Sequence, residues 1–141
     1  MSDPSLITTH IRVYYEDTDF SGRVYHASYL RFLERGRTEW LRSHGLEHRE
    51  IAARSGILFA VRKLQVEYLK PAVMDDLLRL ETRISKLRGA SIEFDQRIFR
   101  GDRQLVASYV VAVALRGGRP VRIPDSLHVA LEDAAEEHGD D

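Results

Sequence analysis

The chain has 141 residues, 43% of them hydrophobic and 30% charged, with a net charge of −1 and no cysteine. This length fits one domain able to bury a core, and the composition excludes a disordered chain. Without cysteine there is no thiol nucleophile, disulfide frame or thiolate metal site.

The N-terminal MSDPSLITTH has neither a basic start nor an apolar h-region. The longest unbroken apolar run, YVVAVAL from Tyr109 to Leu115, is too short to cross a bilayer. The cytoplasm is therefore the expected compartment. Charge is unevenly placed: EDAAEEHGDD, Glu132 to Asp141, holds six acidic residues and no Lys or Arg. The body before it carries about +5, which suits either an ordinary surface or a polyanionic ligand.

Ile7 to Tyr15, ITTHIRVYY, has the β-branched and aromatic content of a strand. Ala27 to His44 is expected to be a helix. Tyr29, Leu30, Phe32, Leu33, Gly36, Trp40 and Leu41 share a broad apolar face at 3.6-residue spacing. Gly36 costs helix propensity, so its presence there implies a very close approach to the packing partner. Gly45 is a plausible C-cap, with a short second helix from His48 to Ser55.

The pattern then becomes strand-like over Ile57–Leu69, Leu77–Leu87, Ser91–Phe99 and Leu105–Leu115. The separators KPAVMDD, RGA and RGDR, with RGGRP after the last, look like turns, so four strands in an antiparallel meander are expected. One long helix against one antiparallel sheet is the economical α+β core. A single domain over 1–124 would leave 125–141 as an acidic tail or short helix.

EDTDFSG, Glu16 to Gly22, admits three readings. Asp17, Asp19, Ser21 and Gly22 start like a calcium loop, but Ser28 occupies the twelfth position, where a bidentate carboxylate is needed. The strand-end D-x-D of a phosphotransferase needs a parallel doubly wound sheet, which the later strands do not suggest. The third reading puts Asp19 between a strand and a helix start, where unpaired N–H groups and the helix dipole can stabilise an oxyanion. Asp and Ser before a helix also serve as turn and capping residues. Separately, HGLEH from His44 to His48 matches a zinc pattern, but Gly45 interrupts the continuous helix that the pattern requires.

YYEDTDFSGRVYHASYLRFLERGRTEWLR resembles the signature of hotdog-fold acyl-CoA thioesterases of the 4-hydroxybenzoyl-CoA thioesterase type, in particular the YbgC-like, Tol-Pal-associated branch. The similarity continues through FAVRKLQVEYLKPAVMDDLLRLETRISKLRGASIEFDQRIFR and covers roughly residues 10–116. It implies a hotdog fold, an antiparallel sheet wrapped around one long central helix. It also implies Asp19 as the catalytic carboxylate, and the backbone N–H of His26 polarising the thioester carbonyl with its imidazole assisting.

By the same resemblance, subunits pair so that two sheets join, giving a dimer or tetramer with each active site at the dimer interface. Coenzyme A phosphates would meet Lys86, Arg88, Gly89 and Ser91 in the turn SKLRGAS, with Lys63 as a further candidate. The expected substrate is an acyl-CoA, with acyl carrier protein as another donor. No metal, other cofactor or nucleic acid is implied, and the place in the cell is cytoplasmic or peripheral to the inner membrane. Glu34 and Arg37, one helical turn apart, suggest an ion pair at a subunit interface, or else a catalytic Glu34. A dehydratase of the same fold and a non-catalytic carrier or envelope adaptor are the rival functions.

Overall fold

The computed structural model describes residues 5–136. In chain order the elements are β1 (Ile7–Arg12), a 3-10 turn (Tyr15–Asp17), α1 (His26–Ser43), α2 (His48–Ser55), β2 (Leu58–Tyr68), β3 (Leu77–Leu87), β4 (Ser91–Arg100), β5 (Arg103–Arg116), β6 (Arg119–Pro120) and α3 (Asp125–Glu136). The sheet order is β1-β3-β4-β5-β2 with every pairing antiparallel, and β6 adds a two-residue ladder to β5. Curled around α1, this is the hotdog fold.

The meander expected from the turn signals holds only for β3, β4 and β5. β2 lies on the far side of β5, at the sheet edge opposite β1, because KPAVMDD is a crossing loop rather than a turn. Its backbone pairs with the segment between β1 and α1. Val24 N–H donates to Ala72 O, Met74 N–H to Gly22 O, and Asp75 N–H to Val13 O. Val13 bonds to Asp75 and Asp76 and Tyr15 opens the 3-10 turn, so β1 ends at Arg12 instead of Tyr15.

α1 buries Tyr29, Phe32, Leu33, Gly36, Trp40 and Leu41 as its spacing predicts, but Leu30 is 38% exposed, on the flank towards β2. Trp40 and Leu41 pack with Ile84, Ile92, Phe94 and Val110. Phe32 and Leu33 pack with Leu78, Leu80, Ile98 and Val106. Between the two clusters runs a polar seam. Gln96 Nε2 donates to Leu33 O at 2.8 Å and Thr82 Oγ1 at 3.0 Å, and Arg37 Nη1 donates to Gln96 Oε1 at 3.0 Å. Gly36 sits against this seam: a Cβ there would fall 2.5 Å from Leu80 Cδ2, which explains the glycine in an apolar helix face.

α3 folds back onto the Trp40 cluster through Leu131 and Ala134. The acidic residues after Glu136 lie outside the described residues. Among the described residues no helix is long and apolar enough to cross a membrane.

Candidate active site at the head of the long helix

The EDTD segment divides its two aspartates by burial. Asp17 is 5% exposed; its Oδ2 accepts the Tyr14 N–H at 2.9 Å, and its carbonyl accepts the Tyr25 N–H at 2.9 Å, one residue before α1. Arg31 on α1 lies 3.7 Å from Asp17 Oδ1 and donates to Ser28 Oγ at 3.0 Å. Asp17 thus ties the loop to the helix head.

Asp19 faces solvent at the tip of a tight turn. Its N–H donates to Arg23 O and its carbonyl accepts from Gly22 N–H, with Gly22 at φ +80°, a conformation that favours glycine. Its Oδ1 accepts both the N–H and the hydroxyl of Ser21, at 2.8 and 2.6 Å. The Ser21 hydroxyl first, and its N–H second, hold the Asp19 carboxyl below its usual range and keep it ionised.

Asp19 lines a cleft of about 450 Å³ together with Arg23, Tyr25, His26, Tyr29 and Tyr68. His26 is the first residue of α1, and Tyr25 caps it without a side-chain hydrogen bond. The Ser28 N–H turns back to Tyr25 O, so the N–H groups left without an intrahelical acceptor are those of His26 and Ala27. The His26 ring stacks on Tyr68 at 4.3 Å, and Tyr68 leans on Tyr29 at 5.3 Å. The Tyr29 hydroxyl accepts the Ala72 N–H at 2.9 Å, fixing the wall formed by the crossing loop. The sequence reading missed Tyr29 and Tyr68 as cleft residues. Only their aromatic character was visible, and that fits core packing equally well.

The structure brings Asp19 and His26 together but leaves Lys63, Lys86, Arg88, Gly89 and Ser91 outside this cleft. Tyr68 pairs with Val106 and Ser91 with Val113. The two sites are therefore separated along β5 by seven residues, about 23 Å at strand spacing. At the far end Arg88 pairs with Glu93, Glu93 accepts the Tyr109 hydroxyl at 2.6 Å, and Lys63 Nζ lies 5.9 Å from the Tyr109 ring centre. Arg88 and the tyrosine hydroxyl hold the Glu93 carboxyl below its usual range. Arg122 Nη1 would lie 3.0 Å from a Cβ at Gly89, and Ile123 N–H donates to Gly89 O, so the turn is braced from behind. Ser91 is only 6% exposed.

Among the described residues no salt bridge joins Glu34 to Arg37, although Glu34 lies close enough to act on the Arg37 charge. Arg37 donates to Gln96 instead, and burial pushes its guanidinium pKa down. Glu34 sits apart from Asp19, in a hollow with Leu30, Val61 and Leu64. His44 and His48 belong to different helices: His44 caps α1, with Nδ1 2.8 Å from Trp40 O, and His48 begins α2.

A profile of the thioesterase superfamily matches residues 21–107. The chain is 44% identical over 120 residues to the acyl-CoA thioester hydrolase YbgC of Escherichia coli O157:H7, a match spanning 83% of this chain and 89% of that protein. It is 40% identical over 123 residues to the acyl-CoA thioesterase YbgC of Haemophilus influenzae, spanning 86% and 90%. Among solved structures, a probable thioesterase from Bartonella henselae aligns with a TM-score of 0.81 at 41% identity, over 84% of this chain and 99% of that one.

Proposed function

The chain belongs to the thioesterase superfamily, and we propose that it hydrolyses acyl-CoA thioesters to the free acid and CoA. The observation that carries this reading is the shared cleft of an ionised Asp19 and the unpaired N–H groups at the head of α1. In the proposed reaction the thioester carbonyl points its oxygen at the His26 N–H. There the hydrogen bond and helix dipole stabilise the negative charge that develops on addition. Asp19 stays deprotonated at neutral pH, the state that both direct attack on the carbonyl and activation of a water require. Breakdown of the tetrahedral species expels CoA as the thiolate, which takes up a proton. With water as the attacking group this leaves the free acid. With Asp19 as the attacking group a second step, in which water cleaves the acyl–Asp19 anhydride, releases the acid and restores the carboxylate.

The remote CoA candidates enter through a second copy. β2 is an 11-residue edge strand, and Val61, Leu64 and Leu30 leave apolar surface exposed along it. An exposed edge of this length and polarity invites pairing. If β2 pairs antiparallel with the same strand of a second copy, the Tyr68 end of one chain meets the Leu58 end of the other. Leu58 pairs with Leu115 and Ser91 with Val113, so the partner's β3–β4 turn arrives at the end that holds Asp19. Three strand spacings, about 14 Å, then separate that turn from β2, within the reach of a CoA molecule. Under this arrangement Lys86 and Arg88 meet the CoA phosphates of the neighbouring site, and Lys63 lies near the symmetry axis. Gly89 leaves room for Arg122 behind the turn, and Ser91 is buried with its carbonyl accepting the Arg88 N–H, so both support the turn rather than face the phosphates.

The test is release of free thiol from short, long and aromatic acyl-CoAs, run beside Asp19→Asn, with oligomer size followed by sedimentation. Loss of at least a hundredfold in turnover at unchanged folding and assembly is expected. Release that survives the substitution would overturn the role of Asp19. Absence of release from every acyl-CoA, with release from an acyl carrier protein thioester, would move the substrate to that carrier.

A further inference from the structure

His26 occupies the head of α1, yet among the described residues its ring makes no hydrogen bond. What holds it is Tyr68, the last residue of β2, whose ring lies 4.3 Å away with an interplanar angle of 15°. Tyr68 in turn leans on Tyr29, 5.3 Å away at 57°. Tyr29 is 2% exposed and anchored through its hydroxyl to the Ala72 N–H, so it does not yield. A fixed residue of the first helical turn therefore supports a half-exposed tyrosine, which supports the exposed imidazole.

We propose that Tyr68 is the positioning residue of the site: by stacking, it pins the His26 ring to the cleft wall and keeps the N–H end of α1 open to the thioester carbonyl. This rests on the reading that the carbonyl binds at that helix end. An imidazole on the first residue of a helix otherwise turns freely about two side-chain torsions, and a ring away from Tyr68 can screen the His26 N–H from the carbonyl oxygen without obstructing the rest of the substrate. An aromatic stack shifts such a population by roughly two- to twelvefold. The effect belongs to turnover rather than binding, because the ring guards the reacting carbonyl while the CoA moiety is held elsewhere.

Tyr68 sits where the free edge strand runs into the crossing loop, with Leu69 and Lys70 N–H both donating to Leu105 O. The wall of the cleft is thus set by the end of the strand proposed to join the second copy.

Tyr68→Phe and Tyr68→Leu separate stacking from volume. Two readouts are needed: kcat and KM for one acyl-CoA, and the His26 ring-proton resonances, assigned by their loss in His26→Gln. In the native protein and Tyr68→Phe, the ring current of the stacked partner moves those resonances upfield, and the phenyl variant turns over within about twofold of the native rate. In Tyr68→Leu the upfield displacement disappears and kcat falls about three- to tenfold while KM stays within about twofold. Native His26 protons at ordinary positions would overturn the stack. Loss of the displacement in Tyr68→Leu with kcat unchanged would overturn the positioning role alone. A native protein that releases no thiol from any acyl-CoA or acyl carrier protein thioester would sink the thioesterase reading and this role with it.

Discussion

Replacing Gly36 by alanine tests how tightly α1 is pressed into the sheet. In an exposed helix the change would stabilise by about 1 kcal/mol, since glycine is the poorer helix former. Here the new methyl carbon would fall 2.5 Å from Leu80 Cδ2 and 2.8 Å from both Gln96 Nε2 and Thr82 Oγ1. All three residues are fully buried and cannot swing into solvent. Overpacking of a filled core costs about 1–3 kcal/mol. Gln96 Nε2 is also committed to Leu33 O and Thr82 Oγ1, so moving it leaves a buried polar group unpaired, at about 1–3 kcal/mol more. The clash and the lost hydrogen bond outweigh the propensity gain, giving a net destabilisation of about 1–5 kcal/mol. For a chain of this size that lowers Tm by roughly 3–15 °C. Thermal unfolding followed by far-UV circular dichroism at matched protein concentration is the assay, because self-association would also move Tm. An unchanged or raised Tm would refute the reasoning, showing that propensity rather than contact decides position 36.

Three further outcomes follow from the site. Ser21→Ala removes the largest influence lowering the Asp19 pKa, so the carboxyl rises towards 3.8. A group with a depressed pKa is ionised above it and protonated as pH falls through it, so the acid limb of kcat/KM against pH moves to higher pH; a limb that stays put sinks the assignment. Asp17→Ala leaves the part-buried Tyr14 N–H without its charged acceptor and removes the carboxylate beside Arg31, at a cost of about 1–3 kcal/mol with reduced turnover. Urea midpoints and kcat measured together check this, and a midpoint equal to the native one would contradict it. Lys86→Gln should raise KM for acyl-CoA severalfold but leave a short acyl-pantetheine thioester unaffected, because Lys86 is exposed and would meet only phosphates. It is a cleaner probe than Arg88, which is engaged by Glu93. Equal effects on both substrates would remove Lys86 from the phosphate site.

The long helix was legible in the chain because Tyr29, Phe32, Leu33, Gly36, Trp40 and Leu41 recur at the helical period, and a period is a local property. The strands were legible from their β-branched runs and turn residues for the same reason. The place of Asp19 before that helix made it one candidate among several readings, which the family resemblance narrowed, and Gly36 foretold a close approach that Leu80, Thr82 and Gln96 supply.

Other features were decided only by the folded chain. Nothing in KPAVMDD states that its backbone will pair with Val13, Gly22 and Val24 rather than close a hairpin, so the neighbour of β2 was misjudged. The division of labour between Asp17 and Asp19, two like residues two positions apart, depends on which carboxylate the Tyr14 N–H and Arg31 reach. The meeting of His26 with Tyr68 joins residues 42 positions apart, and the gap between the Asp19 cleft and the β3–β4 turn follows from strand register. Short-range periodicity tells a segment which face to bury. Which segment lies beside it is settled by hydrogen bonds and packing between distant parts of the chain, and those form only together.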